Sequence, residues 1–399
     1  MSTTNPASST LTEAPSASPP SSPLRVMHII KHCGYANGSV HVAVDLACMQ
    51  ARAGYEVTVI SSGGTFVPLL EQYGVAHHVM AHEQGNPLAL LRTAWRVRRL
   101  ARKTRAHVLH AHMMSSAVVG YLASVLSAVP LITTVHNSFD KHSFLMRLGD
   151  YVVAVSEAER TNLLRKGYNR NKLVAIMNAP AQSPRHDFMN EEEPLAISSP
   201  CIVAANGLHR RKGVFDLIEA VASIFKEFPT WTLYIAGEGP DREELGQQVR
   251  AAGLEDRVQF LGLLPAPRSL MEQADIFVLA SYADPCSLGI GEARSAGCAI
   301  IATDVGGTPE MLNFGRAGIL IQPGQPQQLA GALRRLMGNE DARKSLRQAA
   351  LDGSEIFNVE RLVRDYEQVY LRACEPQVQT ISVQKSEPVE QQVSQAENA

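Results

Sequence analysis

Short runs of apolar and β-branched residues alternate with segments of helical spacing twice along this chain, and this pattern restricts its fold more than any other feature. The first series includes RVMHII, EVTVIS, LITTVH and YVVAVS, and the second includes CIVAAN, TLYIAGEG, DIFVLAS and AIIATD. Such alternation predicts parallel sheets covered by helices on both faces. We therefore predict an α/β protein of two doubly wound domains, with ligands in a cleft at the carboxyl ends of the strands.

The predicted domain boundaries follow the points where this pattern starts and stops. Residues 1–23 and 375–399 are polar, low-complexity segments that we predict to be disordered; the first has neither a basic start nor an apolar core, so it is not read as a signal peptide. The other boundaries are an N-terminal domain at 24–180, a linker at 181–199, a C-terminal domain at 200–355, and a final helix at 356–374 expected to pack back toward the N-terminal domain.

The cysteines and the longest apolar run favour a protein of a reducing, cytoplasmic compartment. Six cysteines are scattered without a CxxC pair, so neither a zinc site nor a disulfide framework is indicated. The run from Ser115 to Val135 contains four serines and is interrupted at Pro130, which predicts a helix followed by a strand rather than a membrane span.

Three loops that follow predicted strands carry candidate binding residues. A turn with Gly38 opens a helix, whose N-terminus suits an anion. In NGLHRRKGVFDL, the basic residues Arg210, Arg211 and Lys212 suit a diphosphate, although without further context a solvated basic loop is the simpler interpretation.

The third loop, in YADPCSLGIGEARSAG, sets Asp284 and Glu292 eight positions apart across the start of a helix. The two carboxylates could address different parts of one extended ligand, with Glu292 on a ribose diol. The alternative is that Asp284 is a turn residue and Glu292 lies on a solvent-exposed helix face.

These segments together resemble the retaining glycosyltransferases of glycosyltransferase family 4, which have the GT-B fold of two Rossmann-like domains and an E-x7-E signature. The resemblance rests on Asp284, Glu292 and the flanking ATDVGGTPEML, and on YIAGEGPDREEL, VQFLG, GSVHVAVDLA, HAH, TTVHNS and VAVSEAERTNLL. It extends over nearly the whole chain between the two tails.

The resemblance implies a role for each candidate residue. Lys212 would bind the donor diphosphate, Glu292 the ribose hydroxyls and Asp284 the sugar hydroxyls. Backbone at Ser287 and Leu288 would meet phosphate or sugar, the Gly38 loop would approach the diphosphate, and His136 would lie near the anomeric centre. The catalytic candidates are thus His136 and Asp284, and the donor-binding candidates are Gly38, Arg210, Arg211, Lys212, Ser287, Leu288 and Glu292.

Four positions depart from the family pattern. Gly207 stands where an arginine is common, which leaves open whether Arg210 or Arg211 replaces it, and Asp284 is one methylene shorter than the usual glutamate. Ser287 and Ala179 each replace a common glycine. The donor is expected to be a UDP- or GDP-linked sugar, with no separate cofactor.

No metal is expected, because no DxD motif stands in the context of a metal-dependent transferase, and basic residues and helix ends meet the charge of the diphosphate. The resemblance implies that the leaving diphosphate helps to deprotonate the acceptor. It also implies a lipid-linked or saccharide acceptor in bacterial-type polysaccharide, lipopolysaccharide or glycolipid biosynthesis, and no nucleic-acid partner.

A basic segment, LRTAWRVRRLARKTR, indicates a further partner. Arg92, Arg96, Arg99 and Lys103 form one helical stripe, which suits an anionic membrane surface and hence peripheral attachment to the inner face of a membrane. A solvated helix face is the alternative.

Two other functions fit the same residues. A non-catalytic protein that binds a nucleotide sugar within an assembly complex is suggested by Gly207 and Asp284. A glycoside hydrolase would also use two carboxylates, but here they accompany a basic loop of the kind that binds phosphate.

Overall fold

The structure is a computed structural model that describes residues 23–35, 37–80, 87–189, 197–264 and 267–375. The tails predicted to be disordered, 1–23 and 375–399, lie outside the described residues except for Pro23 and Glu375. Two parallel sheets with helices on both faces form the molecule, as the strand–helix alternation predicts.

A seven-stranded sheet with the order β3-β2-β1-β4-β5-β6-β7 forms the first domain. Its strands are β1 (Arg25–Ile29), β2 (Glu56–Ser61), β3 (Ala76–Val79), β4 (Val108–Ala111), β5 (Leu131–Val135), β6 (Tyr151–Ala154) and β7 (Leu173–Ala175). Its helices are α1 (Gly38–Arg52), α2 (Val67–Gln72), α3 (Pro87–Lys103), α4 (Met114–Ser127), α5 (Glu157–Arg165) and α6 (Pro184–Met189).

A six-stranded sheet with the order β10-β9-β8-β11-β12-β13 forms the second domain. Its strands are β8 (Cys201–Ala205), β9 (Thr232–Ala236), β10 (Val258–Gly262), β11 (Ile276–Leu279), β12 (Ala299–Thr303) and β13 (Ile319–Ile321). The helices that follow are α7 (Val214–Ile224), α8 (Arg242–Ala251), α9 (Arg268–Glu272), α10 (Leu288–Ser295), α11 (Thr308–Met311), α12 (Pro326–Met337), α13 (Glu340–Leu351) and α14 (Val359–Cys374).

The strand order of each sheet reverses once, between β1 and β4 in the first domain and between β8 and β11 in the second. At such a reversal the connections leave in opposite directions, so a crevice opens beyond the carboxyl ends of the two strands. Ligand-binding residues are therefore expected in the loops after β1, β4, β8 and β11.

The chain ends by returning to the first domain. The backbone pairs across Ala181 and Asn358, and α14 then buries Tyr366 and Tyr370 in a core shared with Leu46 and Ile132. These aromatic rings supply apolar area that the first domain lacks without α14. Within the described part of the chain, no helix is both long and apolar enough to cross a membrane.

Candidate functional site

A cleft of about 410 Å³ lies between the two domains, at the carboxyl ends of strands from both sheets. Its volume falls in the range of small-molecule sites. Eight of the nine residues proposed from the sequence line it: Gly38, His136, Arg211, Lys212, Asp284, Ser287, Leu288 and Glu292.

The loop after β8 brings Lys212 to the cleft through a short 3-10 turn, Arg210–Lys212. Gly213 then adopts φ +66° before α7 begins. A Cβ at Gly213 would lie 1.9 Å from the carbonyl oxygen of Ala280, so only glycine allows this close approach. The basic turn is therefore packed tightly against the end of β11.

The side chains of the two neighbouring arginines, Arg210 and Arg211, point in different directions. Arg211 lines the cleft, donates to the carbonyl of Ala283 at 2.6 Å and lies 5.0 Å from the ring centroid of Phe139 across the cleft. Arg210 is exposed, pairs with Glu244 and stacks over Phe215 at 3.9 Å. Arg210 therefore does not line the cleft in this structure, because its guanidinium is directed toward Glu244.

Lys212 and Asp284 form an ion pair with 2.6 Å between Nζ and Oδ2. Only 15% of the lysine side chain and 7% of the aspartate side chain are exposed. The backbone of Asp284 is fixed by its carbonyl, which accepts from the N–H of Gly307 at 3.2 Å. The pair thus places one cation and one carboxylate side by side at the cleft wall.

Helix α10 presents its N-terminus to the cleft. Ser287 precedes the helix without capping it through its side chain, and Ser287, Leu288 and Gly289 all line the cleft. The first backbone N–H groups of a helix lack intrahelical acceptors, so they offer donors and partial positive charge to a ligand.

Glu292 lies in the second turn of α10 and is buried. Its Oε1 is 3.6 Å from Nε2 of His186. Burial alone would raise the pKa of this carboxyl, but the nearby His186, Arg185 and Arg268 outweigh burial and lower it. Glu292 is therefore held as a carboxylate, able to accept hydrogen bonds.

Sequence reasoning missed Arg185 and His186, which fall in the segment expected to be a linker. They lie in the short helix α6, and Arg185 forms a buried bidentate pair with Asp45 of α1 at 2.8 and 2.9 Å. The local signals for this helix are Pro184 at the first helical position and Ser183 before it, whose Oγ accepts from the N–H of Arg185 at 3.1 Å. The ion pair fixes α6 on the first domain and so holds His186 opposite Glu292.

Several buried polar atoms in and around the cleft have no hydrogen-bond partner among the described residues. They are Nε2 of His41, Oδ1 of Asn206 and both ring nitrogens of His186. Leaving such atoms unpaired costs about 1–3 kcal/mol each. A polar ligand that reaches them would recover part of that cost.

On the first domain, the cleft wall consists of the start of α1 and the end of β5. Asn37 caps α1 by accepting from the N–H of Ser39 at 3.1 Å. Gly38 lies opposite Leu288, and a Cβ added to Gly38 would be 3.6 Å from Leu288 Cδ1. His136 follows β5 and lines the cleft. Burial lowers its pKa to about 3, so the imidazole is neutral at neutral pH.

His136 belongs to a group of four neighbouring histidines, which we call the histidine network: His28, His110, His112 and His136. The first three are buried. His112 Nδ1 is 3.3 Å from His136 Nε2, and His112 Nε2 is 3.0 Å from His28 Nδ1. Burial lowers the pKa of His28 to about 4 and those of His110 and His112 well below their ordinary values. The network is therefore neutral as a whole at neutral pH.

Three members of this network, His28, His110 and His112, have ring nitrogens within 4.8 Å of one another. A metal needs lone pairs that converge on one point. His110 instead directs its two nitrogens at the hydroxyls of Tyr370 and Thr134, both at 2.8 Å. Because the rings are engaged in other hydrogen bonds, the trio fits a hydrogen-bond network better than a metal centre.

Direct contacts join the two domains beside the cleft. The Glu310 carboxylate of α11 accepts from the backbone N–H groups of Glu157 and Ala158, the first residues of α5, at 2.9 and 2.5 Å. Asn178 donates to the carbonyl of Cys286 at 3.2 Å. A carboxylate of the second domain therefore caps the N-terminus of a helix of the first domain.

Two family models match this chain. Residues 36–179 match Glycosyltransferase Family 4, and residues 187–352 match Glycosyl transferases group 1. Together they span both domains and every candidate residue of the cleft.

Individual proteins resemble the chain over most of its length. The N-acetyl-alpha-D-glucosaminyl L-malate synthase of Bacillus anthracis is 24% identical over 367 residues, which cover 84% of this chain and 93% of that protein. A glycosyltransferase from Rickettsia africae superposes with a TM-score of 0.75 at 21% identity, covering 88% of this chain and 99% of the other. Anabaena HepE, solved with UDP-glucose, gives a TM-score of 0.74 at 22% identity, covering 88% and 100%.

Proposed function

Because the chain belongs to the GT-B glycosyltransferases of family 4, we propose that it transfers a sugar from a nucleotide-sugar donor to an acceptor hydroxyl, with retention at the anomeric carbon. The observation that carries this proposal is a cleft lined by polar groups of both domains. The second domain contributes Lys212, Asp284 and Glu292, and the first contributes His136 and the start of α1.

The charges in the cleft suit a nucleoside diphosphate joined to a sugar. Lys212 and the N-terminus of α10 would neutralise the diphosphate and stabilise it as it leaves. Arg211, rather than Arg210, is the cleft arginine available to replace the family arginine absent at Gly207. The Glu292 carboxylate would accept two hydrogen bonds from a ribose diol.

The remaining assignments concern the sugar. Asp284, oriented by its ion pair with Lys212, would accept from sugar hydroxyls, and the backbone of Ser287 and Leu288 would donate to phosphate or sugar. Gly38 would leave room for the diphosphate at the start of α1. His136 would contact the transferred sugar from the opposite wall.

The structure disfavours the hydrolase alternative. A glycosidase needs one carboxylic acid with a raised pKa as its proton donor. The pKa of Glu292 is instead lowered, and Asp284 is bound to Lys212 at 2.6 Å. Neither group suits protonation of a leaving oxygen.

The test is a screen of UDP- and GDP-linked sugars with the purified chain, with nucleoside diphosphate release measured in the presence and absence of a panel of saccharide and lipid-linked acceptors. We expect acceptor-dependent release with one class of donor, and a product whose anomeric coupling in proton NMR equals that of the donor. Binding without turnover across the panel would favour the non-catalytic alternative, and an inverted product would refute retention.

We also propose that helix α3 attaches the protein to the surface of an anionic membrane, such as the inner face of a bacterial membrane, where a lipid-linked acceptor would be presented. Arg92, Arg96, Arg99 and Lys103 are exposed along α3, and about half of the Trp95 side chain is exposed among them. Val125 and Leu126 of the adjacent α4 are exposed by 65% and 51%. An apolar face bordered by basic residues is typical of helices that lie in a membrane interface.

The membrane proposal is tested by sedimentation with vesicles that contain anionic lipid, at low and high salt. The variant R96E/R99E should lose binding at low salt, because each basic residue near the surface contributes about 1 kcal/mol. R165E at the end of α5 is the control, since it changes charge on another helix. Equal binding of R96E/R99E and wild-type protein would contradict the proposal.

A further inference from the structure

The histidine network is connected end to end by hydrogen bonds, from the cleft to helix α1. His136 lines the cleft and contacts His112, His112 contacts His28, and Nε2 of His28 lies 2.8 Å from Oε1 of Gln50. The Gln50 amide nitrogen donates a hydrogen bond to the Tyr370 hydroxyl at 3.2 Å. All of these side chains except His136 are buried.

Each neutral imidazole carries one N–H and one lone pair, so the direction of one hydrogen bond fixes the direction of the next. The structure directs the Gln50 amide oxygen at Nε2 of His28 and the amide nitrogen at the Tyr370 hydroxyl. In this orientation the oxygen only accepts, so Nε2 of His28 carries the proton and its Nδ1 accepts. His112 then donates from Nε2 to His28 and accepts at Nδ1. His136 in turn donates from Nε2 to His112.

The last member of this series is thereby left with an unprotonated Nδ1. This atom has no hydrogen-bond partner among the described residues, and His136 is one of the residues that line the cleft. We propose that Gln50 is a positioning residue that sets the tautomer of His136 through His28 and His112, so that His136 presents a hydrogen-bond acceptor to the substrate.

This inference rests on the proposed function and narrows it. An imidazole with a lone pair toward the cleft accepts from a hydroxyl or an amide N–H, and it repels the lone pairs of a phosphate or carboxylate oxygen. The substrate group that contacts Nδ1 of His136 is therefore a hydroxyl or an N–H, and the diphosphate lies elsewhere, toward Lys212 and α10.

The direct experiment is long-range proton–nitrogen NMR on the full chain labelled with nitrogen-15 histidine, which distinguishes a protonated ring nitrogen from an unprotonated one. In wild-type protein we expect His136, His112 and His28 all to be protonated at Nε2 and unprotonated at Nδ1. A His136 protonated at Nδ1 would overturn the inference, whether or not the protein transfers a sugar.

The variant Gln50→Met removes the amide and keeps the length of the side chain. His136 should then occupy a mixture of tautomers, and kcat/KM for sugar transfer should fall about threefold to tenfold, as for loss of one neutral hydrogen bond. Thr134→Val is the matched control, because it removes a buried hydroxyl that contacts His110 and Tyr366 but lies outside the series from Gln50 to His136.

Thr134→Val should leave the His136 tautomer unchanged and kcat/KM within about twofold. Equal losses in the two variants, or an unchanged His136 tautomer in Gln50→Met, would show that the network is merely structural. If Gln50→Met does not fold, the wild-type spectrum alone decides. Absence of transfer by wild-type protein would refute the proposed function and leave the tautomer result standing.

Discussion

Replacing Lys212 by methionine should almost abolish transfer, and the structure allows the effects on stability and on catalysis to be separated. Nζ of Lys212 lies 2.6 Å from Oδ2 of Asp284, and only 7% of the Asp284 side chain is exposed. Methionine therefore leaves a largely buried carboxylate without its cation. Loss of one partner costs about 3–5 kcal/mol at fully buried sites and under about 1 kcal/mol at exposed ones. For this partly open cleft we expect a loss of about 2 kcal/mol.

The effect on turnover should be larger than stability explains. A preorganised donor that faces developing charge contributes about 2.7–4 kcal/mol, or about 10²–10³ in kcat. We expect a decrease of that size, measured as nucleoside diphosphate release at saturating donor. In K212M/D284N, the second change removes the orphaned charge, so the free energy of unfolding in urea should largely recover while kcat stays low.

Arg210→Met is the matched control, since it removes a positive charge two residues away in the same turn. Arg210 is exposed and directed toward Glu244, outside the cleft. Its kcat should remain within about twofold of wild type. A K212M enzyme within fivefold of wild type, or an R210M enzyme as impaired as K212M, would refute the assignment of Lys212 to the diphosphate.

Two further predictions concern titratable groups. Glu292→Gln keeps the volume of the side chain but removes the carboxylate. Titration calorimetry should find the nucleoside diphosphate bound about tenfold more weakly, because hydrogen bonds to a neutral amide are weaker than those to a charged group. Unchanged affinity would contradict a role for Glu292 on the ribose. The pKa of His28 is about 4 in the folded protein and about 6.5 in the unfolded chain. Below pH 6.5 the unfolded chain therefore binds more protons than the folded protein, and the free energy of unfolding should decrease as the pH falls. Urea unfolding should show a loss of about 2 kcal/mol between pH 7 and pH 5 from this group, and an equal pH dependence in His28→Asn would contradict that source.

The two sheets were predictable because a parallel strand buried on both faces must be apolar along its whole length, and runs such as CIVAAN and DIFVLAS stand out for that reason. The candidate loops followed, since ligands of such sheets lie at the carboxyl ends of strands. The choice between Arg210 and Arg211 was not predictable. Adjacent residues of a 3-10 turn point in different directions, and the sequence of the turn does not say which of them faces the cleft.

The residues that sequence reasoning missed depend on contacts between distant segments. His28 and His110 are register partners on β1 and β4. Three helices and two strands lie between β1 and β4 in the sequence, so the proximity of the two histidines follows from the strand order and not from any local motif. His186 reaches Glu292 only because Arg185 is tied to Asp45 on α1. The sequence signals for the network were HAH at the end of a predicted strand and His136 in TTVHNS.

Helix α14 bears on how the protein is made. Tyr366 and Tyr370 are synthesised after every residue that lines the cleft. Their hydroxyls nevertheless contact Thr134, His110 and Gln50 in the first domain, which is synthesised earlier. While a nascent chain is still attached to the ribosome, the first domain therefore lacks both an apolar wall and partners for its buried polar groups. A ribosome that stops short of α14 would release a chain with every residue of the cleft but an unfinished wall behind His136, so synthesis of α14 also completes the site.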